Sequence, residues 1–162
     1  MFRKSGVLLG AAFMLAGCGS LSSLSLQPAA YQEPAEQWQF VLNDKNGEVY
    51  GKLTLNNPDG SWLTAYGAYA NGAFVMGFEM PREAGVHRYA TVLLDNIPVE
   101  TLPLICQETC KAGWVPGAKL APRLWASTLL SVSYVAAGHE VVMPLTVKNM
   151  KRVAASLTQA RG

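Results

Sequence analysis

Residues 61–80 read SWLTAYGAYANGAFVMGFEM, and their centre is Asn71-Gly72. That dipeptide is the strongest two-residue hairpin signal, because both central positions of a type I′ turn need positive φ. Trp62, Tyr66, Phe74, Met76 and Phe78 supply apolar surface at period two around it, with Gly67 and Gly77 interleaved. A helix would repeat near 3.6 residues, so Ser61–Ala70 and Ala73–Met80 read as two antiparallel strands.

Working outward, the same punctuation continues. Trp38–Leu42 and Glu48–Leu55 are strand-like and are interrupted by Asn43-Asp44-Lys45-Asn46-Gly47 and by Asn56-Asn57-Pro58-Asp59-Gly60. Residues of these types tolerate or favour turn geometry. On the other side Pro81–Gly85 reads as a turn and Val86–Asp95 as a strand. Ile97–Ile105 is apolar but holds Pro98 and Pro103, which confines it to a sheet edge or an irregular extended path. Lys111–Pro122 reads as irregular, and Leu124–Thr128 as a short helix or the start of a strand. Leu130, Val132, Tyr134 and Ala136 then alternate with Ser131, Ser133 and Val135, and Glu140–Leu145 pairs back after Ala137-Gly138-His139. Val147, Met150, Val153, Ala154 and Leu157 recur at three- and four-residue spacing, an amphipathic helix with Lys148, Lys151 and Arg152 outside. The expected fold class is all-β: an antiparallel β-sandwich with a C-terminal α-helix, over residues 38–162.

Composition agrees with one such domain. The chain has 162 residues, 50% of them hydrophobic and 15% charged, which excludes a disordered tail or a coiled coil. The formal charge is +2, and setting aside Arg3 and Lys4 leaves 11 basic side chains against 11 acidic ones. A neutral chain without a basic face gives no electrostatic reason to bind nucleic acid.

The N-terminus carries an address. A basic start (Arg3, Lys4), an apolar run from Val7 to Leu15 and a small-residue end form a secretory signal over residues 1–17. The run is far short of the roughly 20 residues that span a bilayer. Its end, Leu15-Ala16-Gly17-Cys18, resembles the lipobox of bacterial lipoproteins. The resemblance implies a diacylglycerol on the Cys18 thiol, cleavage before that residue, and membrane attachment by acyl chains rather than by a cofactor. An ordinary secretory signal with an incidental cysteine is the alternative. Gly19, rather than Asp, after the cysteine points by analogy to the outer membrane, with the domain in the periplasm. Residues 18–37, rich in Ser, Gln, Ala and Pro, read as a tether. The alternative there is an added edge strand through Leu21, Leu24 and Leu26.

Chemistry-bearing residues are few. Cys106 and Cys110 are a close pair that, in an oxidising compartment, reads as a structural disulfide. Their C-x-x-x-C spacing is not the C-x-x-C of redox motifs. A zinc site would need two more ligands, and His87 and His139 lack the spacing for it. No G-x-S-x-G, S-x-x-K or H-E-x-x-H is present, and no glycine-rich turn joins a strand to a helix. The expectation is therefore no catalytic residue, no metal and no cofactor besides the lipid. Among the aromatics Trp38, Trp62, Tyr66, Tyr69, Trp114 and Trp125, most should be core. Trp114 is the expected exception, on a rigid and partly exposed loop, which makes Lys111 and Trp114 the candidate binding residues.

From Pro81 to Leu157 the order of features resembles the invasion-associated locus B family. The matching features are a strand ending near Asp95, the pair Cys106 and Cys110, a strand Leu129–Ala136, a turn at Gly138, and Val141–Val147 leading into a final helix. That family often has a second cysteine pair, absent here. The resemblance implies a secreted bacterial sandwich linked to host-cell invasion, without an established catalytic site. Four functions follow as candidates: a non-enzymatic envelope lipoprotein binding another envelope or host protein or a wall component; a structural subunit of a conjugation or secretion complex; a lysozyme-type inhibitor acting through Lys111–Gly117; and a hydrolase with unrecognised residues.

Overall fold

The computed structural model describes residues 38–43, 45, 46 and 48–160. The signal (1–17), Cys18 and the tether lie outside the described residues.

The hairpin at Asn71-Gly72 forms as its turn chemistry predicts. Asn71 and Gly72 take φ of 50° and 78° and join β3 (Trp62–Ala70) to β4 (Ala73–Met80). Two further hairpins close the same way, through Asp95-Asn96 (φ 49° and 65°) and Ala137-Gly138 (φ 51° and 79°). Asp and Asn tolerate this region because short polar side chains bond locally. The Asp95 Oδ1 also accepts the N–H groups of Thr128 and Leu129, both at 2.9 Å.

Before β3 the chain forms β1 (Gln39–Leu42) and β2 (Val49–Asn56). After β4 come a 3-10 turn (Arg82–His87), β5 (Tyr89–Leu94), β6 (Ile97–Pro103), β7 (Ile105–Cys106) and β8 (Cys110–Trp114). Helix α1 (Leu120–Ala126), β9 (Leu129–Ala136), β10 (His139–Thr146) and α2 (Val147–Ala160) complete the fold. The strands build a six-stranded sheet ordered β1-β2-β3-β4-β8-β7 and a four-stranded sheet ordered β10-β9-β5-β6. Every pairing is antiparallel. The expected sandwich with a C-terminal helix is what the chain adopts.

Register explains the core. In the larger sheet Leu53, Ala65, Phe78 and Ala112 stand in one cross-strand row. In the smaller sheet Val92, Val132 and Met143 do the same. All seven are buried in one hydrophobic cluster. Helix α2 buries Val147, Met150, Val153, Ala154 and Leu157 against it. A Cβ on Gly51 would stand 2.6 Å from the Val153 Cγ1, so the helix seats directly on the β2 backbone there.

Pro98 and Pro103 lie in β6, which is a sheet edge as their missing N–H requires. A bulge at Val92/Leu93 accompanies them. The chain then leaves the smaller sheet after Pro103 and joins the larger one at Ile105. Leu104 makes the corner, its N–H donating to the Arg88 carbonyl at 2.9 Å.

Three local expectations are corrected. The strand expected from Val86 begins only at Tyr89, and His87 lies in the 3-10 turn rather than in a strand. Arg88 takes φ 58° and ends that turn, which delays the extended backbone. Lys111–Trp114 is not irregular but belongs to β8, because Glu79, Phe78, Gly77 and Met76 of β4 offer it a ladder.

Candidate functional site

The outer face of the larger sheet holds a polar cluster that register assembles. Lys52, Tyr66, Gly77 and Gly113 form one cross-strand row. Thr64, Glu79, Lys111 and Ile105 form the next. Alternation points these residues away from the core, since Phe78, Ala112 and Trp114 point into it.

Glu79 is the hub. Its Oε2 accepts from the Tyr66 hydroxyl at 2.8 Å and its Oε1 accepts from the Thr109 hydroxyl at 2.6 Å. The Lys111 ammonium lies 3.7 Å from Oε1. These donors, Thr109 first, hold the Glu79 carboxyl below the usual carboxylate range. Burial, then the Glu79 carboxylate, pushes the Tyr66 hydroxyl up to about 12. At neutral pH the pair is therefore an ionised carboxylate and a neutral phenol, which fixes the Tyr66 ring. The Lys52 ammonium stands over that ring, 6.0 Å from its centroid, and Tyr50 lies 6.0 Å away, tilted by 54°.

Beside the cluster runs an open groove of about 420 Å³. Tyr66 forms one wall and Pro103 with Ile105 the other. Gly77 and Gly113 form a floor without side chains, and Glu79 with Lys111 supplies the polar end.

One residue beyond Ile105 and Lys111 of the groove lies the disulfide. Cys106 and Cys110 face each other as a β7–β8 pair, their Cα atoms 4.0 Å apart, and are bonded as the sequence reading expects. The bridge packs on the 3-10 turn: a Cβ on Gly85 would lie 2.6 Å from the Cys106 Sγ and 2.9 Å from the Cys110 Sγ. Among the charged residues of the turn and the disulfide loop, exposed apolar side chains stand nearby. Val86 is 79% exposed, Ile105 76% and Tyr89 48%. Pro103 is exposed beside Tyr89, its partner in register.

Of the residues singled out from sequence, Lys111 stands on the groove rim and the cysteines brace its end. Trp114 does not belong to it. That side chain is 1% exposed, and its Nε1 donates to the Glu100 Oε2 at 2.6 Å. Trp114 therefore ties the two sheets together, and the partly exposed loop expected for it does not exist. The Cys110–Trp114 run, C-K-A-G-W, carried the signal: buried and exposed positions alternate along it. Tyr66, expected among the core aromatics, is half-buried on the outer face. Glu79, Thr109 and the two floor glycines carried no sequence signal, because only strand pairing gathers them. Among the described residues no group of three or more His, Cys, Asp and Glu is placed to hold a metal ion. None of the described helices is long and apolar enough to cross a membrane.

No family model matches the chain, and no curated protein matches it. A solved structure does: the invasion associated protein B of Bartonella henselae superposes with a TM-score of 0.60 at 10% identity, over 78% of this chain and 94% of that one. At that identity the likeness concerns the fold, and it extends the resemblance read from Pro81–Leu157 to most of the sandwich: this chain folds like that protein.

Proposed function

We propose that the chain is a non-enzymatic lipoprotein, anchored in the outer membrane through Cys18, whose periplasmic domain is a binding module for an envelope component. The carrying observation is the prearranged groove, its Tyr66 wall held by Glu79 and its far side apolar at Pro103 and Ile105, with Val86 and Tyr89 exposed on the neighbouring turn and strand. Exposed apolar side chains grouped around a braced turn favour a binding surface, since a scattered set would need no explanation. The acyl chains supply the anchor, at about 0.8 kcal/mol per buried methylene. The tether supplies reach, and host-facing exposure on the surface is compatible with the same design.

The test is crosslinking and capture from detergent-solubilised envelope, with the full acylated chain as bait. A discrete set of partners, lost when Ile105 and Val86 are both changed to Asp, is the expected result. Equal capture by that double variant would move the binding surface elsewhere.

A second reading has one observation in its favour. Among the described strands β1 is a sheet edge, with Phe40 and Leu42 more than half exposed. An edge of this kind invites strand addition, which suits a structural subunit of a conjugation or secretion complex. A large native mass for the detergent-solubilised protein would favour it. Of the Lys111–Gly117 segment on which the lysozyme-inhibitor reading relies, Lys111–Trp114 is an internal strand of the larger sheet and only Val115–Gly117 lies outside it.

A further inference from the structure

The groove has the chemistry of a saccharide site, and we infer that it takes the N-acetylated glycan strand of peptidoglycan. This rests on the reading of the chain as an envelope-binding module and names the component bound.

Three features converge on a sugar. A pyranose ring presents an apolar C–H face and a rim of neutral hydroxyls. Tyr66 offers the matching aromatic wall, and its ring cannot swing away because the hydroxyl is held by Glu79 at 2.8 Å. The polar end is a carboxylate and an ammonium 3.7 Å apart, an electrically compensated pair that can accept from and donate to hydroxyls. Gly77 and Gly113 leave a flat floor along which a ring can slide into van der Waals contact. Pro103 and Ile105 close the far side with the apolar surface that an acetamido methyl would cover. The volume, about 420 Å³, lies within the roughly 300–1,000 Å³ of small-ligand sites.

Charge separates the possible sources of sugar. Phosphorylated lipopolysaccharide would need several uncompensated cations, and the one cation among the described residues lining this groove, Lys111, is set against Glu79, while Lys52 beside Tyr66 is outside the lining. A neutral N-acetylated glycan makes no such demand.

The experiment uses the full acylated chain in detergent, sedimented with purified peptidoglycan sacculi and, in parallel, with lipopolysaccharide aggregates. The protein is expected to sediment with sacculi and not with lipopolysaccharide. Tyr66→Ala should weaken that binding about tenfold or more, whereas Tyr66→Phe, which keeps the ring but frees it from Glu79, should lose clearly less than Tyr66→Ala does. Gly113→Val provides a variant that does not depend on the Glu79 network. A Cβ there meets nothing within 4 Å, so the side chain is accommodated and fills the groove, and binding should again fall about tenfold. Sedimentation unchanged by Gly113→Val would overturn the assignment, as would preference for lipopolysaccharide. Failure to bind sacculi, with envelope proteins still captured by crosslinking, would overturn the glycan alone and leave the binding module standing. Failure of both would overturn both.

Discussion

Replacing Trp114 by Phe separates a structural role from a recognition role. The indole is 1% exposed and its N–H donates at 2.6 Å to Glu100, a half-buried carboxylate on the edge strand of the opposite sheet. A hydrogen bond to a charged group contributes about 1.5–3 kcal/mol. The smaller ring gives up apolar burial worth about 1 kcal/mol more. The expected loss is thus ~3 kcal/mol, a large share of the roughly 5–15 kcal/mol that holds an ordinary domain together. With a urea dependence of about 1–3 kcal/mol per molar, the unfolding midpoint should fall by roughly 1–3 M.

A double-mutant cycle assigns the cause. Glu100→Ala leaves a buried indole N–H without its acceptor, which costs about 1–3 kcal/mol. If the two residues act through one bond, the double variant should lose less than the sum by about 1–2 kcal/mol. Capture of envelope partners by folded Trp114→Phe protein should equal that of the native chain, because Trp114 does not line the groove. A coupling below about 0.3 kcal/mol would refute the inter-sheet link. An unchanged midpoint with lost capture would return Trp114 to the surface.

Other expectations are checked by similar means. Gly85→Ala should destabilise by about 1–3 kcal/mol in urea titrations, since its Cβ would stand 2.6 Å from the Cys106 Sγ. In a chain with Cys106 and Cys110 both changed to Ala most of that cost should vanish, although losing so short a disulfide loop costs about 2 kcal/mol by itself. Cys18→Ser should abolish incorporation of labelled palmitate and release the protein from the membrane fraction; normal labelling would reject the lipobox reading. Tyr66 and Tyr134 both have hydroxyls pushed up to about 12, mainly by burial. The folded chain therefore holds those protons more tightly than the unfolded one, so stability should be level below pH 10 and fall as pH rises toward about 12. Tyr134→Phe should make that alkaline fall shallower, and an equally steep fall would exclude Tyr134 as a source. On the acid side the depressed carboxyl of Glu79 stabilises above the ordinary carboxylate range, and its contribution should fade as pH falls through that range and below. Urea midpoints measured for Glu79→Gln against pH check this, because the variant should lack that part of the dependence.

What could be read from the chain alone follows from the range of the interactions involved. The Asn71-Gly72 hairpin, the Leu129–Ala136 strand and the C-terminal helix depend on neighbours in sequence, so turn chemistry and periodicity suffice to place them. Pro98 and Pro103 announce a sheet edge for the same local reason. The turn expected at Pro81–Gly85 is present, but its continuation to His87 has no such signature: the 3-10 turn is shaped by packing against β7, β8 and β9, and it places the start of β5 at Tyr89, three residues after Val86. Trp114 shows a different failure. The flanking Gly113 and Val115-Pro116-Gly117 suggest a loop, whereas the fold follows the period-two alternation of Cys110, Ala112 and Trp114.

Apart from Lys111, the groove leaves no mark in the sequence, and the reason is geometric. Tyr66, Glu79 and Thr109 lie on different segments, and neither residue type nor spacing marks them. Their meeting depends on two register choices, Tyr66 opposite Gly77 and Glu79 opposite Lys111. A slip of one residue in either pairing would send Glu79 or Tyr66 to the core face. The buried row of Ala65, Phe78 and Ala112 forbids that slip, because it would bury a carboxylate and expose a phenyl ring. The hydrophobic core thus sets the alignment that assembles the polar cluster on the opposite face. The disulfide finishes the work at one end, where Thr109, inside the loop it closes, is delivered to Glu79 at 2.6 Å. Core substitutions that shift the β4–β8 register should therefore disrupt the groove even though none of them touches it.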